Sequence, residues 1–269
     1  MRKLLLAIAL AAAAAAPAVA QPVAPPAVAA KVMVTWYGQS AFRIETPSGK
    51  TILIDPWLQN PLNKTGKDDV KTIKADLILI THGHFDHVGD AIAIAKRTKA
   101  HLVATFDLGN ALVAQGYPKT QFGFDTTGNA GGSFTALDGE VTITFVPAIH
   151  SSAVGDKGAY GGTAGGFVVA VKNGPTFYHT GDTAVFGDMA MLASRHIDYM
   201  LACIGDRFTM GPDGAADAVK LVQPRVVVPM HYGTFPVLTG TPAAFASALK
   251  AKGLSTRVLD MEIGKPTSL

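Results

Sequence analysis

Three imidazoles and a carboxylate crowd into Thr81-His82-Gly83-His84-Phe85-Asp86-His87, straight after the apolar run Ala75-Asp76-Leu77-Ile78-Leu79-Ile80. Neutral imidazole nitrogens and carboxylate oxygens are what Zn²⁺ or a similar divalent ion prefers as ligands. Folding alone has no use for three histidines at the end of a buried strand, because each must partner two ring nitrogens or stay solvated. The chemistry these residues suggest is metal binding. Three further places set a candidate ligand at the end of an apolar run, beside small or turn-forming residues. They are His150 after Val146-Pro147-Ala148-Ile149, Asp182 in His179-Thr180-Gly181-Asp182-Thr183, and His231 after Val226-Val227-Val228-Pro229-Met230. Loops at strand ends are where a rigid scaffold presents functional side chains.

The elements that must hold these loops are legible from period and punctuation. Lys31–Trp36, Ala41–Glu45 and Thr51–Ile54 read as strands, the last following a Pro47-Ser48-Gly49 turn. Gln59–Lys74 is polar and reads as a loop. After the histidine cluster, Asp90 is placed to cap a helix over Ala91–Arg97, followed by a strand at Leu102–Thr105 and a helix over Leu108–Gln115 ended by Gly116. Asp138-Gly139 and Asn173-Gly174 each predict a hairpin, joining Ser133–Leu137 to Val141–Val146 and Gly166–Val171 to Thr176–His179. Helices are expected over Val185–Ser194, Gly214–Val222 with Asp213 as cap, and Pro242–Lys252. Strands Tyr199–Ile204, Val226–Pro229 and Thr256–Met261 alternate with them. Hairpins followed by strand–helix alternation, twice over, predict an α/β layered sandwich of two mixed sheets with helices outside.

Composition bounds the rest. Met1-Arg2-Lys3, the apolar Leu4–Ala16 and the small-residue Ala18-Val19-Ala20 read as a cleavable export signal over residues 1–20, cut after Ala20. The apolar part falls short of the roughly 20 residues that span a bilayer, so no stable membrane insertion is expected after cleavage. A Pro/Ala linker (21–30) follows, then one domain over 31–269. The location this predicts is periplasmic or secreted. With Arg2 and Lys3 removed, 21 basic residues face 20 acidic ones, a balance with no electrostatic footprint for nucleic acid. Hydrophobic residues make up 48% of the chain, ample for a core. The single cysteine, Cys203, lies in an apolar run and reads as a small buried hydrophobe.

The ordered set Trp36-Tyr37-Gly38, Leu53-Ile54-Asp55-Pro56, T-H-x-H-x-D-H at 81–87, Thr180-Gly181-Asp182-Thr183 and Met230-His231-Tyr232-Gly233 resembles the metallo-β-lactamase superfamily across residues 31–265. More narrowly it is similar to the metal-dependent hydrolases that include L-ascorbate-6-phosphate lactonase and N-acyl-phosphatidylethanolamine-hydrolysing phospholipase D. The resemblance implies a four-layer αββα sandwich, two mixed β-sheets flanked by helices. It also implies two divalent metal ions, zinc or in some members manganese or iron. Carried over by position, His82, His84 and His150 hold one ion, Asp86, His87 and His231 the second, and Asp182 bridges them. Asp86 also orients a hydroxide drawn from metal-bound water, which makes it the catalytic residue. The substrate is then a small molecule cleaved at an ester, lactone, amide or phosphodiester bond.

Around that set, Asp55 is expected to orient a ligand histidine, and strand alternation turns His179 away from Asp182 or behind the ligands. Arg207 and Thr209, with Met210, are candidates for the pocket wall, as are the loops Gln59–Lys74, Gly116–Gly132 and Ala153–Gly165. Gln39 departs from the family, where histidine is common; an amide can donate and accept hydrogen bonds but cannot transfer a proton near neutral pH. Phe85 is bulkier than the small residue usual there and is expected to narrow the pocket. Redox relatives with Glu in place of His84, β-lactamases without the bridging Asp, and nucleases with basic surfaces all fit less well. The competing class is a metal- or ligand-binding protein that keeps the fold without catalysis.

Overall fold

The computed structural model describes residues 31–269. The export signal and linker expected over 1–30 lie outside the described residues. No helix among the described residues is long and apolar enough to cross a membrane.

The first sheet begins as an antiparallel meander, β1 (Met33–Trp36), β2 (Phe42–Glu45) and β3 (Thr51–Ile54). It continues in parallel through β4 (Leu77–Leu79), β5 (His101–Thr105) and β6 (Thr127–Gly128). The second half repeats this logic. The strands β7 (Ser133–Ala136) and β8 (Val141–Pro147) form the Asp138-Gly139 hairpin, and a two-stranded β9–β10 excursion (Ala153–Val154, Ala159–Tyr160) follows. The pair β11 (Gly165–Val171) and β12 (Thr176–His179) form the Asn173-Gly174 hairpin. Parallel strands β13 (Tyr199–Cys203), β14 (Val226–Met230) and β15 (Arg257–Val258) complete the second sheet. A last strand, β16 (Thr267–Ser268), returns to pair with β1.

Strand alternation sorts the apolar residues into layers. In β3 and β4, Ile52, Ile54, Leu77 and Leu79 face the second sheet and pack in one core with Ile143, Phe167 and Phe177. Leu53 and Ile78 point the other way, against Ile94 and Leu108. Those two residues belong to the outer helices α3 (Ala91–Thr98) and α4 (Phe106–Ala114). On the far side, α5 (Pro212–Val222) buries Ala215, Ala216, Ala218, Val219 and Val222, and α6 (Pro242–Ala251) buries Phe245 and Leu249. Small residues along α5 let a helix lie close to the sheet, and Thr241 caps α6 by accepting from the Ala244 amide at 3.1 Å. The result is the expected αββα sandwich.

Local expectations differ from the structure in instructive places. Gln59–Lys74 contains a helix, α1 (Gly66–Thr72), and Phe85–Val88 forms a one-turn helix, α2, inside the histidine cluster itself. Residues 187–195 wind as a 3₁₀ helix rather than an α-helix. Asp90 does not cap α3; its carboxylate accepts from the backbone and side-chain nitrogens of Gln59, at 2.9 and 2.6 Å. Asp213 likewise does not cap α5 and pairs with Lys252 at 3.2 Å.

Candidate metal centre

All the candidate ligands leave the ends of strands along one edge of the sandwich. His82 and His84 follow β4, and Asp86 and His87 ride on α2. His150, Asp182 and His231 follow β8, β12 and β14. The turn at Gly83 has to be glycine, since a Cβ there would lie 2.5 Å from Val154 Cγ2 and 2.8 Å from the Ala153 carbonyl oxygen. Gly205, in the loop after β13, lets the His231 backbone approach, because a Cβ would lie 2.1 Å from the His231 carbonyl oxygen. Gln39, Asp55 and His231 hold left-handed backbones at φ 49°, 46° and 58°. For a residue with a Cβ that conformation costs about 1–2 kcal/mol. Such strain gathers where the surrounding structure over-determines a functional geometry.

The ligand atoms gather as two groups, His82 with His84 and His150, and Asp86 with His87, Asp182 and His231. His82 Nε2 and His84 Nδ1 are 3.0 Å apart, and His150 Nε2 is 3.3 Å from the same His84 nitrogen. In the second group, His87 Nε2 lies 3.2 Å from Asp182 Oδ1 and His231 Nε2 lies 2.9 Å from Asp182 Oδ2. His231 Nε2 is also 3.5 Å from Asp86 Oδ2. These spacings are near the edge of a tetrahedron drawn with metal–ligand bonds of about 2.1 Å, which is roughly 3.4 Å. Asp182 stands between the groups, its Oδ2 also lying 3.9 Å from His82 Nε2 and 3.7 Å from His150 Nε2.

Tautomers follow from the hydrogen-bond inventory. The Asp55 carboxylate, fully buried, only accepts: Oδ1 takes the Thr81 amide at 2.8 Å, and Oδ2 takes the Thr81 hydroxyl at 2.6 Å and His87 Nδ1–H at 2.7 Å. Thr81 has thereby donated its one hydroxyl proton, so at 3.0 Å its oxygen accepts from His82 Nδ1–H. One carboxylate therefore turns the Nε2 atoms of His82 and His87 toward the cluster, one in each group. His179 is buried and closed off. Its Nδ1 accepts from the Gly181 amide at 3.1 Å and its Nε2 donates to the Ser40 carbonyl at 3.0 Å, so it braces the Asp182 loop from behind. Gln39 Nε2 donates to Asp86 Oδ2 at 2.8 Å, and the Gln39 carbonyl accepts the His231 amide at 3.0 Å.

The donor set fits divalent cations. Among the described residues, His87 Nε2, His231 Nε2 and Asp182 Oδ1 are buried and face one another without a well-aligned hydrogen bond, a cost that an ion between them would remove. Burial lowers the pKa values of His82, His84 and His150, keeping them neutral with lone pairs available. His87 and His231 go the other way. Burial opposes their charge, but the Asp182 carboxylate, with Asp55 at His87 and Asp86 at His231, outweighs it, raising His87 well above its ordinary value and His231 to about 9. Burial likewise opposes ionisation of Asp182 and Asp86, and the neighbouring His231 and His87 overcome it and hold both carboxyls below the usual range. Two carboxylates drawing positive charge into a buried cluster is the electrostatic demand that a cation meets.

A cavity of about 630 Å³ opens over His84, Asp86, His150, Asp182 and His231. Its walls correct the sequence expectation. Phe208 lines it, whereas its neighbours Arg207 and Thr209 and the loops 59–74, 116–132 and 153–165 do not. Phe85 lines it as expected. Phe235, Pro236 and Val237 also line it and went unnoticed in the sequence, although an apolar triplet in a loop five residues beyond the end of β14 was a usable signal.

Similarities to known proteins agree with this geometry. The profile of a family described as a beta-lactamase superfamily domain matches residues 50–232. A UPF0173 metal-dependent hydrolase of Thermodesulfovibrio yellowstonii is 52% identical, covering 91% of this chain and 95% of its own. One from an Anaeromyxobacter species is 53% identical, covering 91% and 89%. Among solved structures, Igni18, a metallo hydrolase from the archaeon Ignicoccus hospitalis, is 37% identical, with a TM-score of 0.76 over 89% of this chain and 98% of that one.

Proposed function

This chain belongs to the metallo-β-lactamase superfamily as a metal-dependent hydrolase, and from that premise we propose that it works with a dinuclear centre and cleaves an ester, lactone, amide or phosphodiester bond. His82, His84 and His150 would hold one ion, Asp86, His87 and His231 the other, with Asp182 shared. The observation that carries this reading is two adjacent ligand groups, with Asp182 in one and within 3.9 Å of the other, and buried His87 and His231 nitrogens that lack a well-aligned hydrogen bond among the described residues. Bound zinc, manganese or iron would supply hydroxide near neutral pH and a Lewis acid for the carbonyl or phosphoryl oxygen.

The protein's own part is positioning. Asp86 stays ionised across the working pH range, because His87 and His231 overcome the burial that opposes it. Its carboxylate can accept a hydrogen bond from the attacking water and aim the water's lone pair at the substrate. Gln39 fixes the rotamer of that carboxylate and, lacking an exchangeable proton near neutral pH, takes no acid–base part. Asp55 holds ligands in both groups at the tautomer that frees Nε2. Elemental analysis combined with a panel of chromogenic esters, lactones and phosphodiesters tests the proposal, with a chelator as control. Full activity at one ion per chain would refute the dinuclear centre. Silence across the panel with both ions bound would refute cleavage of an ester, lactone or phosphodiester bond.

We also place the mature chain outside the cytoplasm, cut after Ala20, on the strength of its leading residues. Mass spectrometry of the protein from a periplasmic fraction checks this; an intact Met1 terminus there would count against it.

A further inference from the structure

The cavity walls carry information about the substrate that the ligand cluster does not. Resting on the hydrolase reading above, we propose that the part of the substrate beyond the scissile bond is uncharged and apolar, an alkyl or aryl group.

Apart from the candidate metal ligands, the lining consists of Phe85, Phe208, Phe235, Pro236, Val237 and a single hydroxyl, Ser151. No lysine or arginine among the described residues lines it, so a remote phosphate or carboxylate on the substrate would have no cationic partner there and would lose its hydration on entry. Phe85, Phe208 and Val237 leave 68%, 55% and 49% of their surface in water, an exposure that binding an apolar group would remove. The volume of about 630 Å³ is that of a small-molecule site.

These walls are also held in place. Phe85, Phe235 and Trp57 form a three-ring cluster, with centroids 5.6 Å apart for Trp57–Phe85, 5.9 Å for Trp57–Phe235 and 6.3 Å for Phe85–Phe235. Edge-to-face and offset contacts of this kind fix ring orientation. Phe208 is thrown outward by two consecutive left-handed residues, Asp206 at φ 65° and Arg207 at φ 59°. The Asp206 carboxylate pins that turn by accepting the Arg207 amide at 2.8 Å. A preorganised apolar wall beside the ligand cluster selects the remote group without contributing to the chemistry.

The test holds the reacting bond constant and varies only the remote group, using metal-loaded protein. Across p-nitrophenyl acetate, butyrate and hexanoate, kcat/KM is expected to rise by about threefold per added methylene. The p-nitrophenyl monoester of adipic acid, with a carboxylate at the far end, should fall at least about tenfold below the hexanoate. Phe208→Ser with Val237→Ser, both exposed positions, should shrink the hexanoate-to-acetate ratio. A flat chain-length series or a preference for the adipate ester would overturn the proposal while leaving the hydrolase reading intact. If no ester is turned over with ions bound, hydrolysis of esters fails, and binding of the uncharged dye Nile red then decides the pocket. Weakening by at least about fivefold in the double variant supports an apolar ligand, and unchanged binding overturns it.

Discussion

The side-chain amide of Gln39 donates to Asp86 Oδ2 at 2.8 Å, the same oxygen that lies 3.5 Å from His231 Nε2. An amide therefore holds the carboxylate assigned both to ligation and to water positioning. Gln39→Leu keeps the volume and removes the donor. Metal affinity at the Asp86–His87–His231 group should weaken by about 10–100-fold, as for other residues that orient a ligand. Chelator competition reads this directly, and wild-type affinity would remove Gln39 from the positioning of Asp86.

Asp55 reaches both ligand groups, His87 directly and His82 through the Thr81 hydroxyl. Asp55→Asn is nearly isosteric but can accept on one side only. Folding stability should fall by about 1–3 kcal/mol in denaturant titration of the metal-free protein. Both ions should bind more weakly, not one alone; selective loss of one would contradict the shared relay.

Asp182 belongs to the Asp86–His87–His231 group, and its Oδ2 lies 3.7 Å from His150 Nε2 and 3.9 Å from His82 Nε2 of the other. Asp182→Ala should drop metal content below two ions per chain and take turnover below detection. A variant that retains two ions and activity would show that Asp182 does not bridge.

Metal removal should destabilise the whole domain, because the ligands come from both sheets. Each ion present at a thousand times its dissociation constant adds about 4 kcal/mol, so two add about 8 kcal/mol. For a domain of this size that corresponds to a melting shift of about 16–32 °C. Differential scanning calorimetry with chelator and after zinc addition measures it, and coincident melts would argue against a preformed site.

Cys203 is fully buried, and burial, with Asp182 nearby, pushes its thiol up to about 11. A raised thiol pKa keeps the neutral, unreactive form at pH 8. Thiol reagents should therefore label Cys203 only after unfolding. The same shift means that folded-state stability declines as pH climbs above the ordinary thiol value of about 8.5, where the unfolded chain ionises first. Rapid labelling of native protein at pH 8 would contradict the burial.

Local signals along the chain were enough to pick out the residues that must be chemical and the strands that carry them. The histidine cluster after an apolar run, the two Asx-Gly hairpins and the period-2 strands are local signals, set by ligand type, turn conformation and side-chain alternation. The positions of Asp55 and His179 behind the ligands followed from the same logic. Everything dependent on which distant segments meet was settled in three dimensions. Asp90 had the residue type of a helix cap, yet the nearby Gln59 offered its carboxylate two donors and took it. The polar and Gly-rich loops looked like pocket walls, yet the wall is built from Phe208 and Phe235–Val237, whose aim depends on left-handed backbone turns and on rings packed across 150 residues of chain. No period or composition encodes that. A side chain's destination is set by the competition among all the surfaces and partners brought near it, and folding alone brings them near.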